Sequence, residues 1–293
     1  MTNIKLRTND KHSFISVNPE RTAIIIIDIW DNHWCKRYKK LNNALAKRVN
    51  SFIFKARRAG IKIIHSPCGS GRQQKPFRDG DDHLYSCMPY YQDHQARHNA
   101  IKCLGGDIIK YSKLKKPKDI FFKGVKTGDK LCACKPFCKR PWPRPWTHQH
   151  DAITITNQDY ITDDLANVRH ILCQNNINNL FYVGGALNAC LIDRPHSMIV
   201  KYENITSGFI RDLTISHLPP QHIFEIDPNN IDSQHWPGWE LVEKFDNICK
   251  EYNIKTANGS LSYKTAHEAQ SRYIEKHLCP SVLSEDLLNA CVT

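Results

Sequence analysis

This 293-residue chain has no stretch long and apolar enough to cross a membrane. The run Ala23–Ile27 falls far short of the roughly 20 apolar residues a spanning helix needs. Met1 to Phe14 is polar and lacks an apolar h-region, so no secretory leader is read from it and the expected compartment is the cytoplasm. In that compartment the twelve cysteines are expected as reduced thiols and not as a disulfide framework. The sequon Asn204-Ile-Thr206 then carries no meaning for glycosylation. There is no internal repeat, no low-complexity tract and no DNA- or RNA-binding motif. Lysine is missing between Lys139 and Lys201.

Acidic residues are scarce in one place. Between Lys110 and Arg144 there are twelve Lys/Arg and two acids, Asp119 and Asp129, so this segment carries nearly all of the formal charge of +12. Interleaved Phe121, Phe122, Phe137, Trp142 and Trp146 give it the look of a phosphate-contacting, base-stacking surface. The plainer reading, and the preferred one, is a solvated charged loop. Contact with nucleic acid or another polyanion is the lesser alternative.

What is present is an α/β rhythm. Ile24-Ile-Ile-Ile-Asp28 ends a continuous apolar run, as a central parallel strand should. Leu41 to Ala59 is amphipathic and meets Gly60 in the C′ role. Ile61 to His65 is a second strand, completing a βαβ unit. Residues 66–145 break the rhythm and are read as a long basic insertion. Cys132, Cys134 and Cys138 cluster within it; a zinc site would need a fourth ligand, which His148, His150 or Cys103 could supply, and three unrelated thiols is the preferred reading. The rhythm returns with a strand over Ala152–Thr156, a helix capped by Asp163 or Asp164, a strand over Leu180–Val183 and a strand over Glu203–Ile210. Two helices, Trp239–Tyr252 and Thr265–His277, and an extended tail from Cys279 make a C-terminal extension at about 237–293. Residues 1–20 read as a polar lead-in.

The stretch with the most chemistry is Val183-Gly-Gly-Ala-Leu-Asn-Ala-Cys190. Gly184-Gly185 makes a sharp turn from a buried strand into a helix expected over Ala186–Lys201, with Cys190 in its first turn. Unpaired N–H groups and the helix dipole there lower a thiol's pKa and make it a nucleophile. The alternative is a small apolar helix residue. Asp28, at the carboxyl end of its strand, lies where open α/β sheets bind ligands; the alternative is a capping role in a turn.

These landmarks together resemble the isochorismatase-like cysteine hydrolase superfamily. More closely they resemble a subgroup with the opening Asp28-Ile-Trp-Asp-Asn-His-Trp-Cys35, the segment Arg211-Asp-Leu-Thr214 and the ending Tyr273-Ile-Glu-Lys-His-Leu-Cys-Pro-Ser281. The resemblance covers most of residues 21–65 and 146–287. It implies one domain over residues 1–293, built as a three-layer, Rossmann-like parallel sheet with helices on both faces. It implies a cysteine-dependent hydrolase of a small amide, imide or ester-like substrate, working through a thioester-type intermediate with no cofactor and assembling as a homo-oligomer. Carried over, Cys190 is the nucleophile, Asp28 the base and Gly185-Ala186 a non-proline cis step beside the oxyanion hole, to which the N–H groups of Ala186 and Cys190 contribute. Trp30, His33, Trp34, His65 and Asn188 are expected to line the pocket. The family lysine should fall near Ile155–Asn157, inside the lysine-free interval. His148, Arg144 or His150 is expected to replace it; failing that, the chain is an inactive relative that serves as a binding module.

Overall fold

The computed structural model describes residues 2–8, 12–67, 88–102, 138, 145–187, 190–194, 196–198, 200–216, 267–268, 271–272, 274–276 and 278–292. Most of the basic insertion, Cys132, Cys134, Arg144, Asn188 and the expected helix over Trp239–Tyr252 lie outside them.

The chain forms an eight-stranded, mostly parallel sheet with helices on both faces. Its strands are β1 (Thr2–Arg7), β2 (His12–Val17), β3 (Thr22–Ile27), β4 (Lys62–Ser66), β5 (Tyr160–Ile161), β6 (Asn179–Gly185), β7 (Thr206–Ile215) and β8 (Ser281–Val282), in the spatial order β2-β1-β8-β7-β6-β3-β4-β5. Among the described residues the unbroken helices are α1 (Lys36–Arg58), α2 (Gln95–Lys102), α3 (Leu165–Gln174), the single turn α4 (Cys190–Asp193) and α5 (Ser284–Val292), and residues 267–268, 271–272 and 274–276 are also helical, within the helix expected over Thr265–His277. Strands β3 to β8 run parallel to one another, and the β1/β2 hairpin adds an antiparallel edge beside β8.

β3 and β6 are the axis of the sheet. Every residue of both strands is buried, which explains why their sequences lack polar alternation. Successive side chains serve opposite layers. Ile24, Ile26, Phe181 and Val183 pack with Val49, Phe52 and Ile53 of α1 and Leu287 of α5. Ile25, Ile27, Leu180 and Tyr182 pack with Val168, Ile171 and Leu172 of α3. Asp164 caps α3 by accepting the Asn167 N–H at 3.0 Å, and Gly60 follows α1 at φ +96°. Among the described residues no helix is long and apolar enough to cross a membrane.

Four expectations are corrected. Residues 2–17 are a hairpin, paired from Thr2↔Val17 to Arg7↔His12; the alternation that buries Ile4 and Leu6 was diluted by polar neighbours. Ala152–Thr156 is not a strand, because side chains take over its backbone partners: Asn50 accepts the Thr154 N–H at 2.9 Å and Asp159 accepts the Thr156 N–H at 2.6 Å. The helix expected over Ala186–Lys201 is ordered as helix only over Cys190–Asp193. Arg194 precedes Pro195, and a residue before proline is disfavoured from the helical region. The strand expected over Glu203–Ile210 runs over Thr206–Ile215; the tail from Cys279 is extended through β8 as expected, and α5 follows it.

The loop from residue 145 to 162 is fastened to the sheet by a buried polar network. Arg57 grips both oxygens of Asp159, at 2.9 and 2.8 Å, and His65 Nε2 lies 3.3 Å from Asp159 Oδ2. Gln149 donates to His65 Nδ1 at 2.9 Å. Burial alone would raise the Asp159 pKa, but the bonds from His65 and Arg57 outweigh it and hold the carboxyl well below the usual carboxylate range. A folded-state pKa below the unfolded one means that protonation favours the unfolded chain. The contribution of Asp159 is therefore complete above about pH 5 and is lost as the pH falls through about 4 and below. Asp159→Asn should lower stability at neutral pH and flatten its decline in acid, as measured by urea midpoints across that range.

Candidate active site

Three devices bring Asp28 and Cys190 together at the carboxyl end of the sheet. The first is pairing: Ile27 is in register with Gly184 of β6 and Ser66 of β4, so the residue after Ile27 emerges between two neighbours. The second is Gly184, with φ +117°. A Cβ there would stand 2.0 Å from the Ile27 carbonyl oxygen, so only glycine lets β6 lie this close as it leaves the sheet. The third is Asp28 itself, a non-glycine residue at φ +50°. Its N–H reaches the Ser66 carbonyl at 3.3 Å, and aspartate tolerates this left-handed conformation better than most residues.

After Gly184 the chain turns through Gly185–Ala186, a cis peptide bond. A Cβ on Gly185 would stand 2.1 Å from the Tyr38 hydroxyl, so α1 presses directly on the turn. The Leu187 N–H binds the Ile215 carbonyl at 2.7 Å, and the Leu191 N–H binds the Ala186 carbonyl at 3.1 Å. Cys190 begins α4 as this turn closes.

Asp28 is 1% exposed, and its charge is met by Arg194. Arg194 Nε donates to Asp28 Oδ2 at 2.8 Å, and Nη2 donates to the same oxygen. Nη2 also lies 3.7 Å from Cys190 Sγ. One guanidinium therefore touches both the carboxylate and the thiol. A buried carboxylate costs several kcal/mol unless it is paired, and the planar fork of arginine can serve two partners at once where a lysine ammonium is a point charge.

Cys190 is half-buried as a residue, while its sulfur is desolvated. The pKa depression expected from a helix N-terminus is overturned. Burial, then the Asp28 charge and the hydrogen bond to Asp28, push the thiol up to about 12; Arg194 and the Ala186 N–H pull the other way. At rest the proton is on sulfur and Asp28 accepts it in a hydrogen bond. Such a thiol reacts by handing its proton to a base in contact, not by free ionisation.

Of the cations expected from sequence, Arg144 lies outside the described residues, and His148 and His150 are engaged elsewhere. His148 stacks on Tyr90 at 4.2 Å and lies 3.5 Å from Asp31 and 2.7 Å from Asp151. His150 Nε2 lies 3.1 Å from Asn43 Oδ1, and its pKa is lowered, chiefly by burial. Arg194, absent from those expectations, is the cation in contact with Asp28 and Cys190. Its signal was spacing, since position i+4 from Cys190 shares a helical face with it. The Arg194 N–H in fact binds the Cys190 carbonyl at 3.2 Å.

The four described residues among those expected to line a pocket, Trp30, His33, Trp34 and His65, are all buried. Trp30 stacks on Trp146 at 5.2 Å, and His33 lies between Trp146 at 5.6 Å and Tyr38 at 4.4 Å. His33 Nδ1 accepts the Cys35 N–H at 3.0 Å, and Trp34 closes the group 5.1 Å from His33. This aromatic wall ends at Tyr38, against the cis turn. His65 belongs to the loop-fastening network. Cys138 packs against the apolar core. No group of three or more His, Cys, Asp or Glu suited to a metal occurs among the described residues.

No protein-family profile matches the chain, and no curated protein matches it significantly. Among solved structures, a cysteine hydrolase from Pseudomonas syringae pv. phaseolicola 1448A is similar over 100% of this chain and 99% of its own, at 11% identity and a TM-score of 0.48.

Removing Arg194 alone should be costly, because it leaves a buried carboxylate unpaired. Arg194→Met is expected to lower stability by roughly 3–5 kcal/mol, and Arg194→Met with Asp28→Asn to recover most of the loss. Urea unfolding of the two single variants and the double variant measures the coupling.

Proposed function

We propose that this chain is a cysteine hydrolase acting on a small amide, imide or ester-like substrate. The observation that carries the reading is the contact of one half-buried guanidinium with both Asp28 and Cys190. Asp28 takes the thiol proton as sulfur attacks the carbonyl carbon. Negative charge moves from the carboxylate to the sulfur and on to the carbonyl oxygen, and Arg194 stays beside the first two of these positions throughout. The Ala186 N–H, already directed at the sulfur, is the nearest donor for the oxyanion, with the Cys190 N–H as the second; each such donor is worth roughly 3 kcal/mol of barrier. The protonated Asp28 gives its proton to the leaving group, which departs and leaves a thioester on Cys190. Water, deprotonated by Asp28, then attacks the thioester and releases the acid and the thiol. No step calls for a cofactor.

The second reading, a fold kept as a binding module, draws support from the same raised thiol pKa. p-Nitrophenyl acetate separates the two. A hydrolase should release nitrophenol in a burst and carry an acetyl group on Cys190 in the mass spectrum of quenched protein. Asp28→Asn should slow acetylation by at least about a hundredfold, and Cys190→Ala should abolish the adduct. Equal turnover by Cys190→Ala, or acetyl groups scattered over other thiols, would defeat the proposal.

A further inference from the structure

Arg194 follows a single helical turn, and a long side chain on a short loop does not by itself hold a fixed position. Its placement is explained by the residues just after it. The Ser197 N–H binds the Arg194 carbonyl at 3.0 Å, the Ser197 hydroxyl donates to the Ile192 carbonyl at 2.7 Å, and the Met198 N–H binds the Leu191 carbonyl at 2.9 Å. The turn is then tied to the sheet at two points. Tyr182 of β6 donates its hydroxyl to the carbonyls of His196 and Ser197, at 3.1 and 3.2 Å. Ser66 at the end of β4 meets His196 Nε2 at 2.6 Å. β4 and β6 are the two neighbours of β3, so the turn is fastened on both sides of the strand that ends in Asp28.

The contacts close a ring. The Asp28 N–H binds the Ser66 carbonyl; the Ser66 side chain binds His196; His196 joins Arg194 through the turn; and Arg194 returns to the Asp28 carboxylate. Ser66, His196 and Ser197 are all wholly buried. We infer that Ser66 and His196 are positioning residues: their hydrogen bond holds the 194–198 turn where the Arg194 guanidinium can span Asp28 and Cys190. The inference rests on the hydrolase reading above and assigns the support of its cation.

The chemistry of the pair suits the task. A neutral imidazole accepts the Ser66 hydroxyl proton at Nε2; an imidazolium would offer a second donor there and a second positive charge beside Arg194. Burial first, then Arg194, push the His196 pKa down to about 3, while a bond to the Asp163 backbone pulls the other way. The charged group acting on the imidazole is Arg194 on its own turn, whose charge is in turn met by Asp28 at the end of β3. The ring therefore stays neutral across the working range, and the clamp does not switch with pH.

The test is the rate at which iodoacetamide alkylates Cys190, read by peptide mass spectrometry as a function of pH, in Ser66→Ala, His196→Leu, His196→Gln and Arg194→Met. Urea midpoints confirm that each variant is folded. Ser66→Ala keeps the backbone carbonyl that binds Asp28, so it decides the matter if His196→Leu does not fold. The expected result is a loss of rate of roughly tenfold to a hundredfold in Ser66→Ala and His196→Leu, matching Arg194→Met, with partial recovery in His196→Gln, whose amide oxygen can accept from Ser66. Wild-type rates in folded Ser66→Ala and His196→Leu, beside a slow Arg194→Met, would overturn the positioning role and leave the hydrolase reading intact. A wild-type rate in folded Arg194→Met would remove the role of Arg194, and the inference with it.

Discussion

A carboxylate that is 1% exposed needs a partner, and the geometry at the carboxyl end of this sheet is arranged around supplying one. The pair Asp28–Arg194 is assembled from elements far apart in sequence: the end of β3 and the turn after α4. Each side is constrained separately. Asp28 is held by its left-handed backbone and the Ser66 carbonyl. Arg194 is held by a turn bound to β4 and β6. Gly184 allows the close approach of β6 on which both depend. Buried ion pairs often add little net stability, because desolvation offsets attraction. The proposed function gives this pair a chemical role in place of a stabilising one.

That role follows from the sharing of Arg194. In the resting site negative charge lies on Asp28 and the proton on Cys190. Transfer of the proton moves the charge to sulfur without moving it away from the guanidinium. In the proposed mechanism the site thus stabilises both ends of the transfer and keeps the thiolate from forming before it is needed. A thiol raised by burial is also protected from unproductive oxidation, which follows thiolate character and exposure.

The sheet was legible because its central strands obey a simple rule: a strand buried on both faces is apolar without alternation. Ile24–Ile27 and Leu180–Val183 announce themselves for that reason. The edges were not legible, since Thr2–Arg7 buries only alternate residues and Ala152–Thr156 has β-branched residues whose backbone partners are taken by Asn50 and Asp159. At the site, Asp28 and Cys190 were legible from the ends of their strands. Arg194 was not legible because its partner lies 166 residues away. The raised thiol pKa was beyond the sequence altogether, since it depends on burial and on the Asp28 charge.

The most direct measurement is the pH dependence of Cys190 alkylation in wild type and in Asp28→Asn. If Asp28 is the base, the reactive form is reached by moving a proton within the pair, and the net protonation of the site does not change. The wild-type rate should then be nearly flat across the neutral range, while Asp28→Asn climbs about tenfold per pH unit as its free thiolate fraction does. A wild-type profile that climbs with the same slope as Asp28→Asn would show that the carboxylate is a bystander to the thiol, and the proposed mechanism would fall.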